Sequence, residues 1–181
     1  MYTVAVIVGS LRKDSINKKL ARALEKLGSD IFTFKTVDIS EIPSYNQDLE
    51  QDPPAPVKKM KEAVAAADAV LFVTPEYNRS IPGVLKNVLD WGSRPYGTSV
   101  WGGKPAAMAG SSAGSVGTAV AQSHLRSILG FLGMSLTVQP ELYFTDKPGL
   151  VAEDGTVENE STAKFLRGFL TAFAAWIDKV K

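Results

Sequence analysis

YTVAVIVGSLRKDSIN, Tyr2 to Asn17, sets an almost wholly apolar, β-branched run directly before a loop of glycine, two serines, an arginine and an asparagine. An apolar run without polar alternation, Tyr2 to Val8, is what a strand covered on both faces requires. Sheets covered in that way are parallel, because the helical crossovers between parallel strands pack on both sides. The helix that begins at Ser15 completes the first unit: Ile16, Leu20, Leu24 and Leu27 share a face, and Gly28 is a stop signal.

The same unit recurs along the chain. Asp30–Ile39 reads as a second strand, Pro43–Pro56 as a polar loop whose DPPAP no helix can cross, and Val57–Ala67 as an alanine-rich helix. Ala69–Thr74 is a third strand, and Ile81–Trp91 a helix with Pro82 in its first turn. A glycine- and aromatic-rich loop, Ser93–Gly103, leads to a fourth strand, Lys104–Ala109. The small-residue loop Gly110–Gly114 precedes a long helix, Val116–Leu132. Leu136–Phe144 is a fifth strand interrupted by Pro140, and Thr145–Thr156 a loop. The last helix, Glu158–Val180, has Phe165, Phe169, Phe173 and Trp176 on one face. Strand and helix alternating five times predict an α/β fold, a parallel sheet between helices, in a single domain over residues 1–181.

Composition narrows the function. With 45% apolar residues the chain can fill a core without metal or disulfide staples. It has no cysteine, so disulfides, thiolate catalysis and thiolate metal sites are excluded, and a reducing compartment fits. A net charge of +1 gives no sign of nucleic acid or an anionic membrane as partner. No basic residue precedes Tyr2–Val8 as in a secretory leader, and no stretch approaches the ~18 apolar residues of a membrane span. A soluble, cytoplasmic protein is expected, and the sequons at Asn78 and Asn159 are read as chance.

Three loops follow the carboxyl ends of strands: Gly9–Asn17, Pro75–Ser80 and Gly110–Gly114. Ligands of open α/β sheets bind at that edge. In the first, Gly9 allows a sharp turn, Ser10, Ser15 and Asn17 offer short donors, and Arg12 a charged fork. The helix from Ser15 aims its free N–H groups and positive dipole end at the same place, which makes a phosphate site. Neither the dinucleotide G-x-G-x-x-G pattern nor a P-loop is present. The plainer alternative is an ordinary N-cap at Ser15 with Arg12 and Lys13 solvated. In the second loop, Tyr77 and Asn78 present an aromatic face and an amide suited to a planar heteroaromatic with imide edges. A turn before a helix capped by Ser80 explains Ser80 and Pro82 equally well, but not Glu76-Tyr77-Asn78.

With these motifs in view, the chain resembles the NAD(P)H-dependent FMN reductases, which include bacterial quinone and chromate reductases. GSLRKDSIN at 9–17, TPEYNRSIPGVLKNVLDW at 74–91, SRPYG at 93–97 and GSSAGSVGT at 110–118 carry the resemblance, which continues through HLRSILGFLGM to QPELY. It implies a flavodoxin-like three-layer sandwich, a five-stranded sheet in order 2-1-3-4-5 with FMN at the strand edge. By match, Ser10, Arg12, Ser15 and Asn17 take the FMN phosphate. Pro75, Glu76, Tyr77 and Asn78 flank the ribityl chain and isoalloxazine ring, and Ser111, Ala113 and Gly114 edge its pyrimidine side. The resemblance implies hydride transfer from NAD(P)H to flavin N5, then electrons to a small-molecule acceptor: a quinone, free flavin, chromate or an azo compound. A ping-pong cycle is expected. The cofactor carries such chemistry, so no acid–base pair or metal is required, and Glu76 is expected to contact backbone or ribityl groups. A homodimer or homotetramer is implied, with no nucleic-acid or membrane partner.

Other residues invite interpretation. His124, the only histidine, lies mid-helix and away from the three loops in sequence, so a surface or subunit contact is expected. Arg79 and Arg126 suit an interface equally, and Arg94 could reach a nicotinamide phosphate. Trp91, Tyr96 and Trp101 read as a hydrophobic cover over the core, against the alternative that their loop reaches the active site. Lys58, Lys59 and Lys61 read as a solvated helix face, and Asp48–Asp52 as a solvated acidic loop. Two rivals stand beside the reductase reading: a flavodoxin-type electron carrier, which the near-neutral charge counts against, and a colourless binder of some other phosphate.

Overall fold

The computed structural model describes residues 1–181. Its elements in chain order are β1 (Tyr2–Val8), α1 (Ile16–Leu27), β2 (Phe32–Thr36), α2 (Ala55–Ala66), β3 (Ala69–Val73), α3 (Gly83–Gly92), β4 (Pro105–Ser112), α4 (Ala119–Phe131), β5 (Ser135–Leu136), β6 (Leu142–Thr145) and α5 (Glu160–Val180). All pairings are parallel, in the order β2-β1-β3-β4, with β5 and β6 both on the outer side of β4. The expected order 2-1-3-4-5 holds. The fifth strand is split: β5 pairs with Pro105–Ala106 and β6 with Ala109–Ser112. Pro140 falls in the gap, where a residue without an N–H interrupts no ladder.

The alternation of β1 and β3 builds two cores. Val4, Val6, Leu71 and Val73 face α1 and α5, while Ala5, Ile7, Val70 and Phe72 face α2, α3 and α4. All eight are fully removed from water, as the apolar runs require. The edge strand β2 is shorter than the sequence suggests, and only Phe32 of its residues is buried.

Several boundaries move for local reasons. Strand β4 runs on through Gly110 to Ser112, because β6 pairs alongside it. Helix α4 starts at Ala119 rather than Val116: Gly117 sits at φ 61°, outside helical geometry. Helix α3 starts at Gly83, with Pro82 as N-cap and Ser80 outside it. In α5 the buried stripe is Leu166, Phe169, Leu170, Phe173 and Ile177, while Phe165 is exposed. Trp91 and Trp101 are buried, and their indole N–H groups donate to Pro43 O (2.8 Å) and Leu89 O (3.0 Å), so they are core; Tyr96 is exposed. Lys61 is not part of a solvated face: burial lowers its pKa, and its ammonium donates to Arg94 O and to Thr98 Oγ1 (3.0 Å), pinning the 93–98 loop.

Candidate functional site

The backbone ladder continues past the strand ends. Gly9 N–H donates to Val73 O and Thr74 N–H to Ala109 O, both at 2.9 Å, so the three loops leave one edge side by side. Gly9 does not need an unusual φ; a Cβ there would instead press on Leu85 at 3.2 Å.

Loop one is a cradle of donors. The N–H groups of Leu11, Arg12, Lys13 and Asp14 make no hydrogen bond within the chain. Ser15 caps α1, accepting from Asn17 N–H at 3.2 Å, so the dipole's positive end points into this loop. Ser10 and Ser15 are buried, while Arg12 and Lys13 are exposed. Free N–H groups, a helix N-terminus and a guanidinium together suit a dianion. Asn17 also links two of the loops. Its amide binds loop three: one Nδ2–H donates to Ser111 O (2.9 Å) and Oδ1 accepts from Ser111 N–H (2.8 Å). It is a brace between the loops.

A second brace lies one turn below the Ser15 cap. Lys19 Nζ meets Asp146 Oδ1 at 2.8 Å, and Asp146 N–H donates to Ser112 O at 2.9 Å. The end of β6 is thereby tied both to α1 and to β4. The sequence offered one hint of this, a lysine four residues after the cap on a helix whose first turns are buried.

Loop two is organised by Glu76. Its Oε2 accepts from the N–H groups of Val120 (3.1 Å) and Ala121 (3.0 Å) at the start of α4. Thr118, the N-cap of that helix, makes no capping bond, because its hydroxyl accepts from Gln122 Nε2 at 2.9 Å. Glu76 therefore caps α4 from another loop, where the dipole favours a carboxylate. Its Oε1 accepts from Arg79 Nη1 at 3.2 Å. The backbone contact foreseen for Glu76 is present. Tyr77 and Ser80 exchange two backbone bonds of 2.9 and 3.0 Å around Asn78 and Arg79, leaving the Tyr77 ring half exposed. Ser80 Oγ lies 3.0 Å from His124 Nδ1. The single histidine thus reaches loop two, which its distance along the sequence concealed.

Loop three is self-bonded: Gly114 N–H donates to Ser112 Oγ (3.2 Å), Ser112 Oγ to Gly114 O (3.0 Å) and Thr145 Oγ1 to Gly114 O (3.3 Å). Ala113 and Gly114 are exposed, whereas Ser111 is buried and its hydroxyl has no partner. A buried orphan hydroxyl costs stability unless something satisfies it. Of the arginines left open, Arg94 stacks over Tyr96 at 4.0 Å and Arg126 pairs with Glu141 at 3.2 Å. No helix is long and apolar enough to cross a membrane.

Known proteins share this sequence and fold. The family model for NADPH-dependent FMN reductase matches residues 2–149. A 2-hydroxy-1,4-benzoquinone reductase of Burkholderia sp is 51% identical over 174 residues, covering 96% of this chain and 95% of the relative. A quinone reductase of Pseudomonas putida is 46% identical, over 98% of this chain and 95% of its own length. Among solved structures, the flavoenzyme NAD(P)H:(acceptor) oxidoreductase FerB of Paracoccus denitrificans superposes with a TM-score of 0.96 at 48% identity, covering 99% of this chain and 98% of that one.

Proposed function

The chain belongs to the NADPH-dependent FMN reductase family, and from that premise we propose that it is an FMN-dependent NAD(P)H oxidoreductase passing electrons to quinones or similar small-molecule acceptors. Loop one carries the reading. Its unbonded N–H groups, with Arg12 and the α1 N-terminus, form a dianion cradle at the carboxyl edge of a parallel sheet.

The residues fit FMN. Ser10, Arg12, Ser15 and the free N–H groups would hold the phosphate, with Asn17 fixing that loop against Ser111. Pro75, Tyr77 and Asn78 would flank the ribityl chain and ring, on a turn that Glu76 secures to α4. Ala113 and Gly114 would edge the pyrimidine side, and the unpartnered Ser111 hydroxyl has a bond to give there. When bound, FMN supplies a two-electron acceptor and donor between NAD(P)H and the quinone. The chain's own work is to bind and orient. Both oxygens of Glu76 are engaged, so it is not offered as a proton carrier. We place the whole of residues 1–181 in one flavin-binding domain, working in the cytoplasm as a homodimer or homotetramer. Exposed Tyr96 and Phe131 suit such contacts.

The visible spectrum tests this. After incubation with FMN and desalting, the protein is expected to stay yellow and to bleach when NADPH is added without oxygen. Steady-state lines at several quinone concentrations are then expected to run parallel. Yellow protein that neither NADPH nor NADH bleaches is an electron carrier, and colourless protein refutes the flavin site. Arg12→Ala is expected to weaken FMN binding by about 1.5–3 kcal/mol, the range for a charged hydrogen-bond partner. Unchanged affinity by fluorescence titration would remove Arg12 from the site.

A further inference from the structure

Asn78 and Arg79, at φ 50° and 63°, are the only residues other than glycine with positive φ. Asparagine tolerates this region, arginine gains nothing from it, and glycine would sit there without strain. Backbone strain persists where surrounding contacts over-determine it, and it clusters at functional sites. Here the paired Tyr77–Ser80 bonds and the Ser80–His124 contact fix the turn. The Arg79 side chain is 71% exposed and its single partner is Glu76 Oε1 at 3.2 Å. Glu76 does not depend on that contact, because its other oxygen holds two N–H groups of α4. Arg79 is therefore a releasable cation on the exposed turn of loop two.

We infer that Arg79 is a specificity-determining residue that binds a phosphate group of NAD(P)H, exchanging the Glu76 carboxylate for it. The inference rests on the oxidoreductase reading above. A guanidinium matches phosphate oxygens in a bidentate manner that an ammonium cannot. Two phosphates of the co-substrate have this chemistry: the pyrophosphate, shared by NADH and NADPH, and the 2′-phosphate of NADPH alone.

Arg79→Gly separates them. It removes the charge and relieves the strained φ together, so the fold is expected to hold, with a melting temperature no lower than wild type. With FMN-loaded protein and one quinone, the KM for NADPH is expected to rise about tenfold or more while kcat changes less than about twofold. Arg79→Lys should recover only part of the loss. An equal rise with NADH assigns the pyrophosphate; a rise confined to NADPH assigns the 2′-phosphate. Unchanged KM for both nucleotides, or a fall in kcat at constant KM, overturns the inference and leaves the reductase reading intact. Wild-type protein that neither nucleotide reduces overturns both.

Discussion

Gly110→Ala is expected to destabilise the protein by about 3 kcal/mol or more and to release its flavin. A Cβ at position 110 would lie 1.9 Å from Thr118 Oγ1 and 2.4 Å from the Thr74 carbonyl oxygen. Neither neighbour is a flexible side-chain end. Thr74 O is backbone at the end of β3, beside the bond from Thr74 N–H to Ala109 O. Thr118 Oγ1 is held by Gln122, whose amide also donates to Leu142 O at 2.9 Å. Gly110 itself is paired with Tyr143. Something in the sheet must therefore move, and the next residue is Ser111, clamped on both backbone atoms by Asn17. Overpacking a core typically costs about 1–3 kcal/mol, and more where backbone shifts. The strain would pass straight to the phosphate loop. Urea denaturation measures the first effect, and retained absorbance after desalting the second. Stability within about 0.5 kcal/mol of wild type would mean that β3 and α4 do not approach Gly110 so closely.

The contrast between Gly110 and Ser15 shows what a sequence makes visible. Ser15 acts on a backbone amide two residues away, so its role as a cap is a local pattern and is plain in the chain. The parallel sheet was equally plain, because β1 and β3 carry their burial in their own composition. Gly110–Ser112 have poor intrinsic strand preference and are held in β4 by pairing with β6, a contact that no local window contains. The same holds for Glu76. A carboxylate that caps a helix from a distant loop leaves no spacing to recognise, so its residue type was legible and its partner was not. Asn17 reads as a polar donor in the right loop, but its pairing with Ser111, 94 residues on, is not legible there. Sequence motifs located the edge and its chemistry. Which residues touch a ligand and which hold the loops together depends on pairings across the fold.

Lys19→Met is expected to cost about 3 kcal/mol and to weaken FMN binding without touching the cradle. The Lys19 and Asp146 side chains are 10% and 19% exposed and 2.8 Å apart. Removing the ammonium strands a carboxylate with little water around it, and breaking such a buried pair costs about 3–5 kcal/mol. The residual exposure of Asp146 sets the expectation at the foot of that range. Glu153, 4.0 Å from Lys19 and 85% exposed, contributes little. Methionine matches the lysine stem, so the loss reports the charge and not a cavity. The double variant Lys19→Met with Asp146→Leu replaces the pair by apolar contact, which is often neutral, and should regain most of the stability. The cycle yields the coupling directly. Flavin affinity should follow stability through the cycle if the pair acts by holding α1 against β6. If the double variant recovers stability but not affinity, the bond from Asp146 N–H to Ser112 O has lost its register, and the charge pair sets the position of loop three as well as that of α1. A single-variant cost below about 1 kcal/mol would show that the Asn17–Ser111 brace alone holds the cradle to the sheet.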